Sequence, residues 1–214
     1  MTDAQAIHEL VQAGLAEPAS DESFDRFARL VHRQLGVSSA LVTLVLDDEA
    51  VLPGAHGLPE PYQSARRTPR SHTFCQFVAN EARPLVVEDA RTVPHLATLR
   101  AVGDLGVVAS AGFPIVDPRG RAVGSLCAFD PRPRTWSDDE LATLADLASA
   151  CTSELRLRLA RARARRMQRV ALAANKRSRL LLELSESIAA APSIRDVPEP
   201  LAAHGAAHGP RYAG

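Results

Sequence analysis

The stretch from Phe113 to Leu147 limits the folds open to this chain more than any other. Val107 to Val116 reads as a strand, Asp117-Pro118-Arg119-Gly120 as a hairpin turn, and Ala122 to Phe129 as the partner strand. Gly124 inside that second strand predicts a bulge or the close approach of another backbone. A proline-rich exit leads to Ser137-Asp138-Asp139-Glu140, a capping box with its hydroxyl at the cap and its carboxylate three residues on. Trp136 and Leu141 flank the box as a hydrophobic staple.

No glycine or proline interrupts Glu140 to Ala191, and the strong helix formers Ala, Leu, Arg and Glu dominate. One helix of that length would measure about 75 Å at 1.5 Å per residue. It must pack on a partner or break, and Asn175–Ser178 is the expected weak point. A dimer seam is expected along Leu144, Ala148, Cys151, Leu155, Leu159, Leu181, Leu184 and Ile188, with Ala162, Met167, Val170 and Ala174 between.

The net charge of zero conceals an asymmetry. Residues 155–182 hold ten Lys/Arg and no acid, whereas residues 1–154 hold 13 Lys/Arg against 21 Asp/Glu. A basic helix following an acidic body fits three partners: a second helix, nucleic acid or an anionic membrane surface. No aromatic residues interleave the charge and large interfacial apolar residues are sparse, so nucleic acid and membrane are not expected.

Upstream, residues 3–15 and Asp21–Leu35 read as helices, the second capped by Ser20 or Asp21 and ended at Gly36. Ser39–Leu46, Ala50–His56 and Leu85–Val87 read as strands. Gly57–Pro69 reads as loop and Ser71–Asn80 as a short helix capped by Ser71. Asp89–Leu99 reads as mixed turn and helix, Gly103–Gly106 as a turn, and 192–214 as a disordered tail. No run of eighteen apolar residues and no leader-like start is seen, so a soluble, cytoplasmic protein is expected.

Three cysteines are too few for a disulfide framework, and no C-x-x-C pair offers a structural metal site. Cys75, Cys127 and Cys151 read first as small buried apolar side chains. For Cys75 and Cys127, haem or metal ligation, bilin attachment and oxidant sensing are the chemical alternatives. His72 and His95 are the histidines best placed to reach a ligand. No hydrolase, zinc-protease, Walker or dinucleotide-binding motif occurs, and Glu88-Asp89 and Asp138-Asp139-Glu140 are explained by a turn and a cap. No catalytic residue and no metal is expected, and no cofactor is identified.

The pieces Ser71-His72-Thr73-Phe74-Cys75, Arg83-Pro84-Leu85-Val86-Val87-Glu88-Asp89-Ala90, Gly112-Phe113-Pro114-Ile115 and Gly124-Ser125-Leu126-Cys127-Ala128-Phe129-Asp130 occur in that order. Pro133 and Trp136–Leu144 complete the pattern. The segment from Phe24 to Leu155 resembles the GAF domains of bacterial signalling proteins. The resemblance implies an α+β fold: a central antiparallel sheet of five or six strands, flanking helices and a long C-terminal signalling helix. We divide the chain into a lead-in (1–20), a sensory domain (21–155), a basic helix (156–191) and the tail. Leu180–Val197 reads as the opening helix of a further module.

The resemblance further implies a small-molecule pocket between the sheet and the segments Gly57–Ser71 and Glu88–Gly106. Its expected ligand residues are His72, Phe74, Cys75, Phe77, Val78, His95, Leu96, Leu99, Arg100, Phe113 and Phe129, with Val42, Leu44, Val108 and Ala111 as further wall. Gln76 stands where bilin-binding members carry a histidine after the cysteine, which argues against a tetrapyrrole. The implied function is a homodimeric sensor that passes a signal to a kinase, phosphatase, cyclase or transcription-regulatory domain. A ligand-free dimerisation module is the alternative. A haem or redox sensor and a free methionine sulfoxide reductase-like enzyme are the remaining readings.

Overall fold

The computed structural model describes residues 4–190, with side chains through Ile188. The tail expected at 192–214 lies outside the described residues. The chain divides into two units, one ending at Arg166 and one beginning at Met167.

In chain order the elements are α1 (Ala4–Gln12), α2 (Glu22–Leu35), β1 (Ser39–Val45), β2 (Glu49–His56), α3 (Tyr62–Ala65), β3 (Arg67–Pro69), α4 (Cys75–Glu81) and β4 (Leu85–Val87). There follow α5 (Pro94–Ala97), α6 (Arg100–Gly103), β5 (Ala109–Val116), β6 (Ala122–Asp130) and α7 (Asp138–Ala190). The six strands form one antiparallel sheet in the order β3-β2-β1-β6-β5-β4. The fold is α+β, as the resemblance implies.

Local chemistry explains the element ends. The Asp21 carboxylate caps α2 by accepting from the Ser23 and Phe24 amides, and Gly36 closes it in the left-handed region. Asp117 organises the β5–β6 turn, its carboxylate accepting from the amides of Arg119 and Arg121 at 2.8 and 3.0 Å. Gly124 on β6 has no room for a side chain, because an added Cβ would lie 1.9 Å from the Thr43 carbonyl oxygen on β1.

The capping box is formed at the start of α7. The Glu140 amide donates to Ser137 Oγ at 3.2 Å, and the Ser137 amide donates to Glu140 Oε2 at 2.9 Å. Trp136 and Leu141 both pack into the adjacent core, and the Trp136 indole N–H donates to the Val87 carbonyl. Ser137→Ala should cost about 1 kcal/mol, read as a lower urea midpoint with an unchanged slope.

Both faces of the sheet are apolar and each carries its own core. On one face α1, α2 and the first part of α7 pack against Val42, Leu44, Ala111, Ile115, Leu126 and Ala128. On the other, α4, α5 and α6 cover Leu41, Val45, Leu52, Cys127 and Phe129.

This layering corrects the expected dimer seam. Leu144, Ala148, Cys151, Leu155 and Leu159 are buried against the chain's own sheet and α2, which needs that apolar row to complete its core. They are not available to a partner. Leu181, Leu184 and Ile188 are 58%, 59% and 75% exposed, so only the distal end of the expected seam is open.

Four local expectations also change. Helix α7 runs without a break through Asn175–Ser178, as its unbroken series of good helix formers allows. The segment read as loop at Gly57–Pro69 contains α3 and β3, a short edge strand paired with β2. The helix expected at Ser71–Asn80 is split at Thr73, an extended residue between a single helical turn at Arg70–His72 and α4. Ser71 therefore lies inside that turn and caps nothing.

Candidate functional site

The second face of the sheet holds the candidate site. β1, β2 and β6 form its floor through Leu41, Leu52 and Phe129. Tyr62 on α3, Thr68 on β3, His72 and Thr73 close one side, and Arg100, Leu105 and Val107 close the other. The space open to the centre of a water molecule is about 30 Å³. That admits an ordered water but no larger ligand unless the walls move. The lining is chiefly apolar, with His72 partly buried and Arg100 exposed at the rim.

Arg100 is held there by Asp104, whose carboxylate accepts from its Nε at 2.7 Å. Ser110 on β5 pairs directly with Phe129 and so shares its face of the sheet. It is buried, and its Oγ has no hydrogen-bond partner among the described residues. An orphaned hydroxyl there is a polar group available to a ligand or a trapped water.

Beside this cavity lies a polar cluster in an otherwise apolar layer. Cys75, at the start of α4, and Cys127, on β6, are both buried, with sulfurs 3.5 Å apart. Thr43 Oγ1 lies 3.3 Å from Cys75 Sγ, and Ser125 Oγ lies 3.2 Å from Cys127 Sγ. Thr73 Oγ1 accepts from the Cys75 amide at 3.2 Å. The hydrogen bond from the Cys127 thiol holds Cys75 toward the thiolate and outweighs burial, with the nearby hydroxyls assisting. The same coupling, together with burial, pushes Cys127 up. Cys151 sits in the other core, and burial raises its thiol.

Ten of the eleven expected ligand residues fall into four groups. His72, Arg100 and Phe129 line the cavity. Phe74, Cys75, Leu96 and Leu99 belong to the same buried layer, Phe74 meeting Phe129 with ring centroids 6.0 Å apart. Val78 is buried where α4 crosses Gly112. Phe77 and His95 pair edge to face at 5.8 Å, and His95 is exposed.

Phe113 is a correction. It packs with the α2–α7 core on the opposite face, as do the expected wall residues Val42, Leu44 and Ala111. All seven residues of β1 are buried, so apolarity there carries no alternation from which to choose a face.

Leu41, Leu52 and Val107 were not expected, and Tyr62, Thr68 and Leu105 were not singled out although they lie in the expected covering segments Gly57–Ser71 and Glu88–Gly106. Leu41 becomes a floor residue only through antiparallel pairing with β6, which sets it opposite Cys127, two residues from Phe129 on the same face. Tyr62 and Thr68 lie in the segment read as loop.

Among the described residues no group of three or more His, Cys, Asp or Glu could hold a metal, and no helix is long and apolar enough to cross a membrane.

A six-stranded antiparallel sheet with a long capped helix on one face and a small, chiefly apolar cavity on the other defines a compact α+β domain. Residues 20–155 match the model of the GAF domain, and the chain belongs to that family. It is similar to the domain assigned to a two-component sensor histidine kinase protein from Sinorhizobium meliloti 1021. Identity there is 25%, with 69% of this chain and 99% of that one covered and a TM-score of 0.53. The GAF domain of a phosphoenolpyruvate-protein phosphotransferase from Coxiella burnetii shares the fold at 20% identity, covering 75% of this chain and 94% of that one, with a TM-score of 0.55. So does the blue-light absorbing form of the PixJ GAF domain from Thermosynechococcus elongatus, at 19% identity, 78% and 96% coverage and a TM-score of 0.52. No curated protein matches the chain.

Proposed function

We propose that this chain is a homodimeric GAF sensor in which a change at the cavity face is relayed through α7 to an effector. One observation carries the reading. The distal part of α7 has an exposed row at Met167, Val170, Leu181, Leu184 and Ile188. With Ala174 and Arg177, its spacing alternates three and four, which is the a/d rhythm of a two-stranded coiled coil. A second copy of the same row is the natural cover.

The relay begins inside the domain. The Val116 amide donates to Thr152 Oγ1 at 3.4 Å, and Arg156 Nε donates to the Asp117 carbonyl at 3.1 Å. A shift of the β5–β6 hairpin therefore bears directly on α7. A small molecule would enter by displacing the segments that carry Tyr62 and Arg100, with His72 and Arg100 supplying polarity. The similarity to a domain of a two-component sensor histidine kinase protein makes a kinase the first effector to test, ahead of a phosphatase, cyclase or transcription-regulatory domain.

Leu181→Asp combined with Leu184→Asp should convert a dimer to a monomer in sedimentation equilibrium and leave the sensor fold intact. A monomeric parent protein, or a dimeric variant, would overturn the proposal.

The nearly filled cavity favours a second reading, a ligand-free dimerisation module. Native mass spectrometry separates the two: a retained small molecule supports sensing, and bare dimers support pairing alone.

A further inference from the structure

We infer that Cys75 and Cys127 form a reversible thiol–disulfide couple that responds to hydrogen peroxide and ties α4 to the central strand β6. Four observations carry this inference, and none depends on dimerisation. The sulfurs already touch at 3.5 Å, although they come from elements 52 positions apart in sequence. Forming the bond to its usual ~2.05 Å requires an approach of about 1.5 Å.

Glycine makes the space for the pair. Gly112 on β5 lies in register with Cys127, and a Cβ there would come within 2.7 Å of its sulfur. The hydroxyls of Thr43 and Ser125 lie against the sulfurs and Thr73 Oγ1 accepts from the Cys75 amide, in a layer built chiefly of Leu, Val, Ala and Phe. Two cysteines serving only as packing would need no such shell, whereas a developing thiolate does. Finally, Thr73 also lines the cavity, whose capacity matches a molecule the size of water. Neither sulfur lines that cavity and both are fully buried, so an oxidant reaches them only as the neighbouring walls move, which favours one as small as hydrogen peroxide.

The chemistry closes without a further reagent. The Cys75 thiolate attacks one peroxide oxygen, the O–O bond breaks, and the departing hydroxide takes up a proton to leave as water. Cys75 is then a sulfenic acid. The Cys127 sulfur attacks it, the S–S bond forms and the S–O bond breaks, and the hydroxide released leaves as a second water with the Cys127 proton. Two thiols and one peroxide give one disulfide and two waters. The two sulfurs lose two electrons and the peroxide oxygens gain them. A small dithiol reverses the step by exchange.

The test uses the full chain, treated with hydrogen peroxide, quenched and measured by intact mass and non-reducing peptide mapping. The expected result is a loss of two hydrogen masses, with a Cys75–Cys127 cross-linked peptide that dithiothreitol releases. Cys151→Ser should behave as the parent, and Cys75→Ser and Cys127→Ser should show no such loss. Ellman's reagent should leave the folded protein unreacted, because all three cysteines are buried. Three results overturn the inference. They are an unchanged mass under conditions that oxidise free cysteine, a cross-link through Cys151, and sulfinic acid at Cys75 with Cys127 untouched. The mapping of the parent protein decides even where a serine variant does not fold.

Discussion

Leu155→Asp should abolish the folded state rather than dissociate a dimer. Leu155 is fully buried on α7, in the core shared with α2 and the sheet. Truncating a buried leucine alone costs about 2–5 kcal/mol. A carboxylate in its place adds an unpaired charge with no partner in an apolar layer, so the total should exceed about 5 kcal/mol, comparable with the whole stability of a domain. Far-UV circular dichroism and the soluble yield read the loss. Leu155→Met keeps volume and apolarity and should stay folded, within about 1.5 kcal/mol of the parent. A well-folded Leu155→Asp protein sedimenting as a monomer would mean that Leu155 faces a partner, and that α7 does not pack as described.

The second large effect is expected at Asp25. Its carboxylate sits on α2 and is nearly buried against Arg66, with Oδ1 2.7 Å from Arg66 Nη1. The same oxygen accepts from the Ala55 amide on β2 at 2.9 Å, and Oδ2 accepts from Ser20 Oγ at 2.6 Å. One acid therefore joins a helix, a strand and the segment before β3. Asp25→Ala leaves an unpaired guanidinium and an unsatisfied amide, and should cost about 3–5 kcal/mol.

The pH dependence has a definite sign. Burial pushes the Asp25 carboxyl up, but the hydrogen bonds from Ser20, Ala55 and Arg66 outweigh it and hold the folded value below the usual carboxylate range. The unfolded chain then binds the proton more readily. The contribution of Asp25 is complete above about pH 4 and falls away as pH drops through the folded value. Denaturant titrations of parent and variant should therefore converge below about pH 4. A gap that persists unchanged at lower pH would show that the carboxylate charge is not what stabilises the fold.

The residues that were legible in the sequence are those whose role is local. Ser137 and Glu140 announce a helix start because the capping box needs only its own four residues. Asp117 and Gly120 announce a turn, and Gly124 announces a close approach, for the same reason. The Asp25–Arg66 pair was invisible because its members lie 41 positions apart and each resembles an ordinary surface charge. The Cys75–Cys127 contact was invisible too: two cysteines in separate elements carry no mark of their separation in space.

The site shows the same division. His72 and Phe129 sit in the motif pieces that carry the resemblance, and Arg100 in the expected segment Glu88–Gly106; all three line the cavity. Phe113 was misplaced and Leu41 overlooked because a strand that is apolar on both faces does not say which residues point where.

The β5–β6 hairpin and the capped helix are written in the chain, since backbone propensities, turn chemistry and caps act over a few neighbouring residues. Which face each apolar row covers was decided only on folding. Two sheet faces compete for the same leucines and valines, and strand register together with the burial of α7 settles the contest. That is why the row from Leu144 to Leu159 serves the domain's own core, while the row ending at Ile188 remains open.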